Sequence, residues 1–454
     1  MTTPKLIPYS AQDFKGRIEE IKLVKDLTAK IASGKRKAEE PNVITFRGIR
    51  TMGKTWLALH LKRTILPQID GVTPLLLGLS ATFDPENYIP QGTEKRDDEL
   101  FADLDKLNAE NPTPEEFCVK ALKWIAKQLG TTTTEKAEPS ELSRWLVRDI
   151  KAKYSHKVIA LIVDSAFEAN WEYLKKLEEY LLVPLAALPN ALIILTGRGN
   201  AHPWISPYLR IADEQQVKAL NCEETEKQVG ERLKEIGVTV EKLMDVTGGN
   251  PGLNYFFAYS IDWKSASDTI INLLLDIYSE KYTREIRIYF EALCVLDGFN
   301  EDEISLMLAK YHNDEKYVKM TDEDKRTVKQ KMLETHLVRW KDGKYVMDDT
   351  LRRLAGYFLK SHRDNGKWER LHQGAKELYE NWAERFPKHA EYFMTKAKYH
   401  ADALGIISAT EVPSSPSGAK PVKIKDAKIK ATKKAVRKKT KAKTTKKSKP
   451  VQSK

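Results

Sequence analysis

The chain has 454 residues, of which 41% are hydrophobic, and this length predicts two to four folded domains. The net charge of +12 is unevenly placed, because residues 420–454 carry fifteen lysines and one arginine against one aspartate, which leaves −3 for the rest. Three cysteines without ligand spacing exclude a disulfide framework, and neither a signal peptide nor a membrane-spanning run is found, so we expect a cytoplasmic protein.

The first half of the chain, from about residue 14 to 211, alternates short apolar runs with helical periodicity. The apolar runs cover residues 43–46, 75–79, 158–163 and 191–195. Alternation of this kind predicts an α/β fold, a parallel sheet covered by helices. Such sheets bind ligands at the carboxyl ends of their strands, so the residues that follow these runs are the first candidates for a site.

The most specific motif is residues 48–55, with the sequence Gly-Ile-Arg-Thr-Met-Gly-Lys-Thr. It fits G-x-x-x-x-G-K-[ST] at every fixed position, with a strand-like run at 42–46 before it and an amphipathic helical pattern at 56–62 after it. Strand, glycine loop and helix form the context in which this motif, the P-loop, binds phosphates. Chance produces the bare pattern in roughly 2% of chains of this length, so nucleotide binding is the stronger interpretation.

Within the P-loop, the candidate nucleotide-binding residues are Gly48, Arg50, Gly53, Lys54 and Thr55. The backbone N–H groups of such a loop form a cradle for an anion. Lys54 is expected to reach the β- and γ-phosphates, and the Thr55 hydroxyl is expected to ligate Mg²⁺.

A second Mg²⁺ ligand is predicted at Asp164, which ends the apolar run 158–163. We expect its strand to neighbour the P-loop strand, and its carboxylate to hold Mg²⁺ directly or through water. The alternative is a helix-capping role. Many ATPases place an acid directly after this aspartate, but Ser165 stands there, and the nearest acid is Glu168. Glu168 is a candidate general base and, with equal support, a solvated glutamate at a helix start, so turnover is expected to be slow or absent.

Arg198 follows the apolar run 191–195 after Thr196 and Gly197. An arginine at a strand tip can sense or neutralise the γ-phosphate of a bound nucleotide. Arginine is also common at strand ends as a surface residue, so this candidate depends on the P-loop for its support.

The second half of the chain is mainly helical, with a Gly-Gly-Asn-Pro-Gly interruption at 248–252. Around Asp342-Gly343, two short runs joined by Asp-Gly predict a β-hairpin, and helices followed by a hairpin suggest a winged helix. Beyond residue 413 the chain lacks the apolar side chains needed for a core. The predicted segments are an N-terminal lead (1–13), a P-loop NTPase domain (14–215), a helical lid (216–280), a winged-helix domain (281–362), a helical extension (363–410) and a disordered lysine-rich tail (411–454).

The order of these motifs resembles the STAND class of AAA+-related signalling NTPases, which includes the NB-ARC and NACHT families. The resemblance covers roughly residues 14–360. Its motifs are Phe-Lys-Gly-Arg-Ile-Glu-Glu-Ile at 14–21, the P-loop, the strands that end at Asp164 and Arg198, Leu-Asn-Cys-Glu-Glu-Thr-Glu at 220–226, the motif at 248–252 and Met-Asp-Asp at 347–349.

The resemblance implies ATP or ADP with Mg²⁺ as the ligand, and it implies nucleotide-site roles for Arg17, Pro251 and Asp348. Pro251 is expected to pack near the adenine. Asp348 stands where NB-ARC proteins carry a histidine that contacts the β-phosphate of ADP. A carboxylate beside a phosphate is repulsive unless a cation intervenes, so the ADP-locked state of that family is in question here. The helical residues that remain before the tail are too few for the repeat sensor usual in the class.

The tail, residues 420–454, resembles the lysine-, alanine- and threonine-rich tails of linker histones and bacterial histone-like proteins. Such tails bind phosphate backbones without reading sequence, which predicts non-specific nucleic-acid binding and association with a nucleoid or chromatin. The alternatives are a solvated tail without a partner and an anionic membrane surface.

Three functions fit these observations. The first is a nucleotide switch of STAND type, in which slow ATP hydrolysis rearranges the domains and exposes a surface for a protein partner or self-assembly. The second is a DNA-directed, AAA+-like ATPase of the initiator or loader type. The third is a nucleotide-binding scaffold that does not hydrolyse ATP.

Overall fold

A computed structural model describes residues 9–79, 113–131, 138–167, 171–198, 206–212, 215–275, 280–362 and 366–405. The candidate base Glu168 and the predicted tail at 411–454 lie outside these ranges. In the part of the chain that is described, no helix is both long enough and apolar enough to cross a membrane.

A five-stranded parallel sheet forms the centre of the first half, which confirms the predicted fold class. Its strands, in chain order, are β1 (Val43–Arg47), β2 (Val72–Gly78), β3 (Val158–Asp164), β4 (Ala191–Gly197) and β5 (Gln215–Gln216). The spatial order is β2-β3-β4-β1-β5. Every residue of β3 and β4 is buried, as expected for strands that are covered on both faces.

The strand order corrects one expectation. We expected the strand that carries Asp164 to neighbour the P-loop strand, but β4 lies between β1 and β3. Parallel strands are joined by long crossover connections, so adjacency along the chain does not fix adjacency in the sheet. The register pairs Phe46 of β1 with Thr196 of β4, so the carboxyl ends of the two strands stand side by side.

In the described part of the first half, six helices accompany the sheet. They are α1 (Ile18–Ala32), α2 (Lys54–His60), α3 (Pro114–Gln128), α4 (Pro139–Lys153), α5 (Trp171–Leu177) and α6 (Val183–Ala186). The helix α2 continues in a π-helical turn, Leu61–Ile65, and a 3₁₀ turn, Leu66–Gln68. A second π-helical turn, Glu178–Leu182, joins α5 to α6.

Among the described residues of the second half, the regular structure is helical apart from one hairpin, and buried hydrophobic side chains between Val229 and Ala397 form one cluster. The helices are α7 (Cys222–Glu235), α8 (Val240–Thr247), α9 (Pro251–Tyr259), α10 (Trp263–Leu275), α11 (Glu280–Leu293), α12 (Glu301–His312), α13 (Asp322–Glu334), α14 (Asp349–Ser361), α15 (Lys367–Arg385) and α16 (Ala390–Ala403), with 3₁₀ turns at Glu315–Lys319 and Pro387–His389.

The hairpin predicted from Asp342-Gly343 is present. Its strands are β6 (Val338–Lys341) and β7 (Lys344–Met347), which pair antiparallel. Asp342 and Gly343 both have positive φ angles, 51° and 80°, as a two-residue hairpin turn requires.

Gly249 lies in the predicted lid, residues 216–280, and makes a tight backbone contact with Leu220. Its carbonyl accepts a hydrogen bond from the Leu220 N–H at 2.9 Å, and its φ angle is +79°. A Cβ atom at residue 249 would lie 2.0 Å from the Leu220 carbonyl oxygen, which is backbone and cannot rotate away. Leu220 is therefore held against the 248–252 motif by a contact that only glycine permits.

We expect Gly249→Ala to lower the free energy of unfolding by at least about 3 kcal/mol, because it combines left-handed backbone with a backbone clash. Gly237→Ala is the matched control, since Gly237 also has a positive φ angle, +66°, but has open space around it. That variant should cost only about 1 kcal/mol. Urea unfolding measures both, and equal losses would contradict the contact.

Candidate functional site

The P-loop, residues 48–55, runs from the end of β1 into the start of α2. Gly53 is the N-cap of α2 with a φ angle of 78°, and Thr51 adopts the same left-handed region with a φ angle of 70°. Left-handed backbone is costly for a residue with a Cβ, so the conformation at Thr51 is maintained by its surroundings. The Gly48 N–H donates to the Gly197 carbonyl at 3.3 Å, which ties the loop to the carboxyl end of β4.

The carbonyl groups of the P-loop accept hydrogen bonds from three parts of the chain. The donors are Lys54 Nζ to Gly48 and Ile49, both at 2.9 Å, Asn250 Nδ2 to Arg50 at 3.5 Å, Gly252 N to Thr51 at 3.0 Å, and Arg17 Nη2 to Met52 at 2.7 Å. In a trans peptide the C=O and N–H groups point in opposite directions. Fixing the carbonyls also orients the peptide planes that carry the N–H groups of the loop. The Met52 N–H donates within the loop, to the Ile49 carbonyl at 3.4 Å. Loops with fixed peptide planes can present their remaining N–H groups to an anion.

Lys54 is buried at the first position of α2. Its ammonium group lies against the carbonyls of Gly48 and Ile49, so its charge is positioned at the loop itself. A bound phosphate would offer this ammonium a charged acceptor in place of neutral carbonyls, and hydrogen bonds between charged groups are the stronger kind.

Thr55 and Asp164, predicted separately, meet in the structure. The Thr55 hydroxyl donates to Asp164 Oδ2 at 2.7 Å, and the Thr196 hydroxyl donates to Asp164 Oδ1. Asp164 is only 3% exposed, so these two donors compensate a buried carboxylate. A hydroxyl and a carboxylate oxygen side by side are the hard oxygen ligands that Mg²⁺ prefers. Sequence reasoning missed the contact of Thr196 with Asp164, and the only signal for it was a polar residue at the tip of an apolar strand.

The chain turns sharply after Asp164. Ser165 has a positive φ angle of 58°, and the Ala166 N–H donates to the Thr196 carbonyl at 2.7 Å. The exit from β3 is therefore bonded to the tip of β4. Arg198 is partly buried directly beyond Gly197, at the same sheet edge as the P-loop.

Arg17 joins the P-loop to the start of the lid. Its side chain is 5% exposed and donates to the Met52 carbonyl at 2.7 Å and to the Lys218 carbonyl. Glu20 lies 3.8 Å from the guanidinium. Burial lowers the pKa of Arg17, and the nearby carboxylates of Glu20 and Glu224 oppose that change. The structure thus places Arg17 against the backbone of the loop.

The lid motif at 248–252 lies against the P-loop. A Cβ atom on Gly252 would stand 2.7 Å from Thr51 Cβ, so the two backbones are in direct contact. Pro251 Cγ lies 3.8 Å from the position of a Cβ on Gly53. Asn250 caps α9 by accepting from the Leu253 N–H at 3.2 Å. Pro251, predicted near the nucleotide, is thereby brought to the second glycine of the loop.

Asp348 caps α14, since its carboxylate accepts from the Thr350 N–H at 2.9 Å. Burial raises the pKa of Asp348. Its neighbour Asp349, which sequence reasoning passed over, binds Arg352 at 2.7 Å and Arg353 at 2.6 Å. Asp349 Oδ2 also lies 3.5 Å from the position of a Cβ on Gly248, so α14 begins beside the lid motif.

No protein-family model matches the chain, and no curated protein matches it in sequence. Among solved structures, a Walker-type ATPase of Pyrococcus abyssi matches with a TM-score of 0.51 at 16% identity, over 77% of this chain and 98% of that chain. A STAND protein with a tetratricopeptide repeat sensor from Pyrococcus horikoshii matches at 15% identity with a TM-score of 0.30, over 88% of this chain and 54% of its own. Cdc6p from Pyrobaculum aerophilum matches at 11% identity with a TM-score of 0.36, over 78% and 97%.

The likenesses to the STAND protein and to Cdc6p are too weak to carry an argument. The likeness to the Walker-type ATPase, at low sequence identity, concerns the fold alone. Together with the parallel sheet and the P-loop at the end of β1, it shows that this chain has the fold of P-loop NTPases.

Proposed function

We propose that the protein is an ATP- and ADP-binding regulatory switch of STAND type, in which slow ATP hydrolysis is coupled to rearrangement of the lid and the elements after it. The observation that carries this proposal is the direct contact of the lid with the P-loop, where Gly252 N donates to the Thr51 carbonyl at 3.0 Å. A ligand that changes the conformation of the loop acts on the lid through this bond.

The phosphates would be held by the loop N–H groups and by Lys54, and Mg²⁺ by Thr55 and Asp164. The residues present fit phosphate and Mg²⁺. The carbonyls of the loop already accept hydrogen bonds, so they are not left to face a phosphate unpartnered. The Thr55 and Asp164 oxygens are adjacent, as a shared metal ion requires. Mg²⁺, when bound, would neutralise part of the phosphate charge. Arg17, Gly48, Gly53, Pro251 and the backbone of Arg50 complete the proposed nucleotide site, and Asp348 is assigned to it from the family resemblance alone.

Slow turnover is supported by the residue after Asp164. Ser165 cannot act as a general base in the way a carboxylate does, and its left-handed backbone directs the chain away in a sharp turn. We assign the base role to Glu168 and the γ-phosphate sensor role to Arg198 as parts of the same proposal.

Association with nucleic acid is proposed from the sequence of the tail, residues 420–454, whose net charge of +15 suits a phosphate backbone. Such binding would place the protein at a nucleoid or at chromatin. The proposed partner is a second protein or another copy of this chain. It would bind the protein in one nucleotide state in preference to the other.

The experiment that tests the switch is to identify and quantify the nucleotide carried by the purified protein and to measure turnover with and without DNA. Retained ADP with slow turnover that DNA does not change supports the switch. Turnover that DNA stimulates many-fold supports a DNA-directed, initiator- or loader-like ATPase instead. Bound nucleotide without any turnover supports a scaffold.

Lys54→Ala should weaken ATP and ADP binding by roughly 100-fold or more, because it removes a side-chain cation that is positioned on the carbonyls of the P-loop. Isothermal titration calorimetry measures the affinities. Lys22→Ala, at an exposed lysine on α1, is the control and should leave them unchanged. Retained ATP affinity in Lys54→Ala would remove the P-loop assignment.

Asp164→Asn should weaken the dependence of ATP affinity on Mg²⁺ while the fold is kept, since an amide can still bond the hydroxyls of Thr55 and Thr196 but is a poor Mg²⁺ ligand. We expect the affinity for Mg²⁺ in the complex to fall by at least about tenfold. Titrations with Mg²⁺ and with EDTA measure this, and Asp245→Asn on the exposed surface of α8 serves as the control. An unchanged Mg²⁺ effect would place the metal elsewhere.

Deletion of residues 413–454 should flatten the salt dependence of DNA affinity, because the slope of log K against log salt is about −0.9 per phosphate contact. Fluorescence anisotropy with labelled duplex DNA at several salt concentrations measures the slope. If the truncated protein keeps both the affinity and the slope, the DNA contact lies in the folded part of the chain.

A further inference from the structure

Three consecutive residues of the P-loop contact elements that come after residue 220. Ile49 packs against the buried cluster that extends from Val229 to Ala397. The Arg50 guanidinium donates to the Leu273 carbonyl at 3.0 Å, and Thr51 accepts from Gly252 N. Residues 49–51 occupy variable positions of the P-loop motif. These positions, and not the fixed glycines, lysine and threonine, therefore make the contacts described here between the loop and the lid.

The contact of Arg50 joins a charged donor to a backbone carbonyl of α10, Trp263–Leu275. Hydrogen bonds in which one partner is charged are stronger than those between neutral groups. Arg50 thus engages two helices, α10 through its side chain and the start of α9 through its carbonyl, which accepts from Asn250.

Arg50 was predicted from the sequence to belong to the nucleotide-binding loop. Lys54 is the cation that the structure places on the carbonyls of the loop, whereas the guanidinium of Arg50 reaches α10. The two cations of the motif therefore have different partners, one within the loop and one in the lid.

We propose that Arg50 is a positioning residue that ties α10 to the P-loop, so that occupancy of the loop by phosphate and the placement of the lid are thermodynamically coupled. Coupling of this kind is reciprocal, because a ligand that stabilises one arrangement of the loop stabilises the matching lid, and the docked lid raises the affinity for that ligand. The part that concerns phosphate rests on the proposed function, whereas the tie between Arg50 and α10 does not.

The test is hydrogen exchange of the full-length protein, without nucleotide and with ADP, in the wild type, Arg50→Ala and Arg50→Lys. In the nucleotide-free protein, Arg50→Ala should raise the exchange rates of the α10 amides by about tenfold, the effect of losing one hydrogen bond to a charged donor. Arg50→Lys should restore part of the protection. Amides of β3, in the core of the sheet, should exchange as in the wild type and report that the fold is intact.

Two controls separate the tie from other effects. Arg144→Ala removes an arginine whose Nε donates to a helix carbonyl, that of Ser140, at 3.2 Å in α4, and it should leave α10 unchanged. Thr55→Ala alters the metal side of the loop and should also leave the nucleotide-free exchange of α10 unchanged. Unchanged exchange of α10 in Arg50→Ala would overturn the proposal.

The nucleotide arm tests the coupling. ADP should slow the exchange of α10 in the wild type and should do so several-fold less in Arg50→Ala, with an affinity for ADP that falls roughly five- to tenfold. A large loss of affinity with unchanged α10 exchange would instead mean that Arg50 contacts the phosphates. If no variant binds ADP, the proposed function fails, but the nucleotide-free comparison still decides whether Arg50 holds α10.

Discussion

The structure depends on how the carbonyl groups of one loop are satisfied. Five consecutive carbonyls, from Gly48 to Met52, accept hydrogen bonds from Lys54, from the lid and from Arg17. Each buried carbonyl needs a partner, and each partner fixes the direction of the N–H group on the same peptide plane. The shape of the proposed phosphate cradle is therefore set in part by groups outside the loop, such as Asn250 and Gly252, that bond its carbonyls.

This arrangement makes the loop the junction between two hydrophobic cores. One core surrounds the parallel sheet, and the other extends from α7 to α16. Ile49 packs on the second core although it belongs to a loop that begins at the end of β1. Tight backbone contacts at Gly249 and Gly252 leave no room for a Cβ, so the lid can reach this position only with glycine there.

The sequence was sufficient to predict the elements whose signal is local. The P-loop, the apolar strands, the hairpin at Asp342-Gly343 and the meeting of Thr55 with Asp164 all follow from spacing and from the rule that strand ends converge. Strand order was not predictable, because the sequence of a crossover connection does not show where in the sheet the next strand inserts. The position of β4 between β1 and β3 was therefore missed. The partner of Arg50 was missed for a related reason, since its acceptor is the backbone of Leu273, and a carbonyl has no signature in a sequence. The ion pairs of Asp349 with Arg352 and Arg353 were also missed, because the family resemblance assigns a role to Asp348 and none to Asp349.

The position of β4 has a mechanical consequence. The Thr196 hydroxyl and carbonyl bind Asp164 and the turn after it, so the carboxylate side of the proposed Mg²⁺ site is fixed to β3 and β4. The loop that precedes Thr55, in contrast, is bonded to the predicted lid through Thr51 and Arg50. In the proposed switch, a displacement of the lid would therefore act on the Thr55 side of that site and not on the Asp164 side. Lid position and affinity for Mg²⁺ would then be linked, because both depend on the distance between these two oxygens.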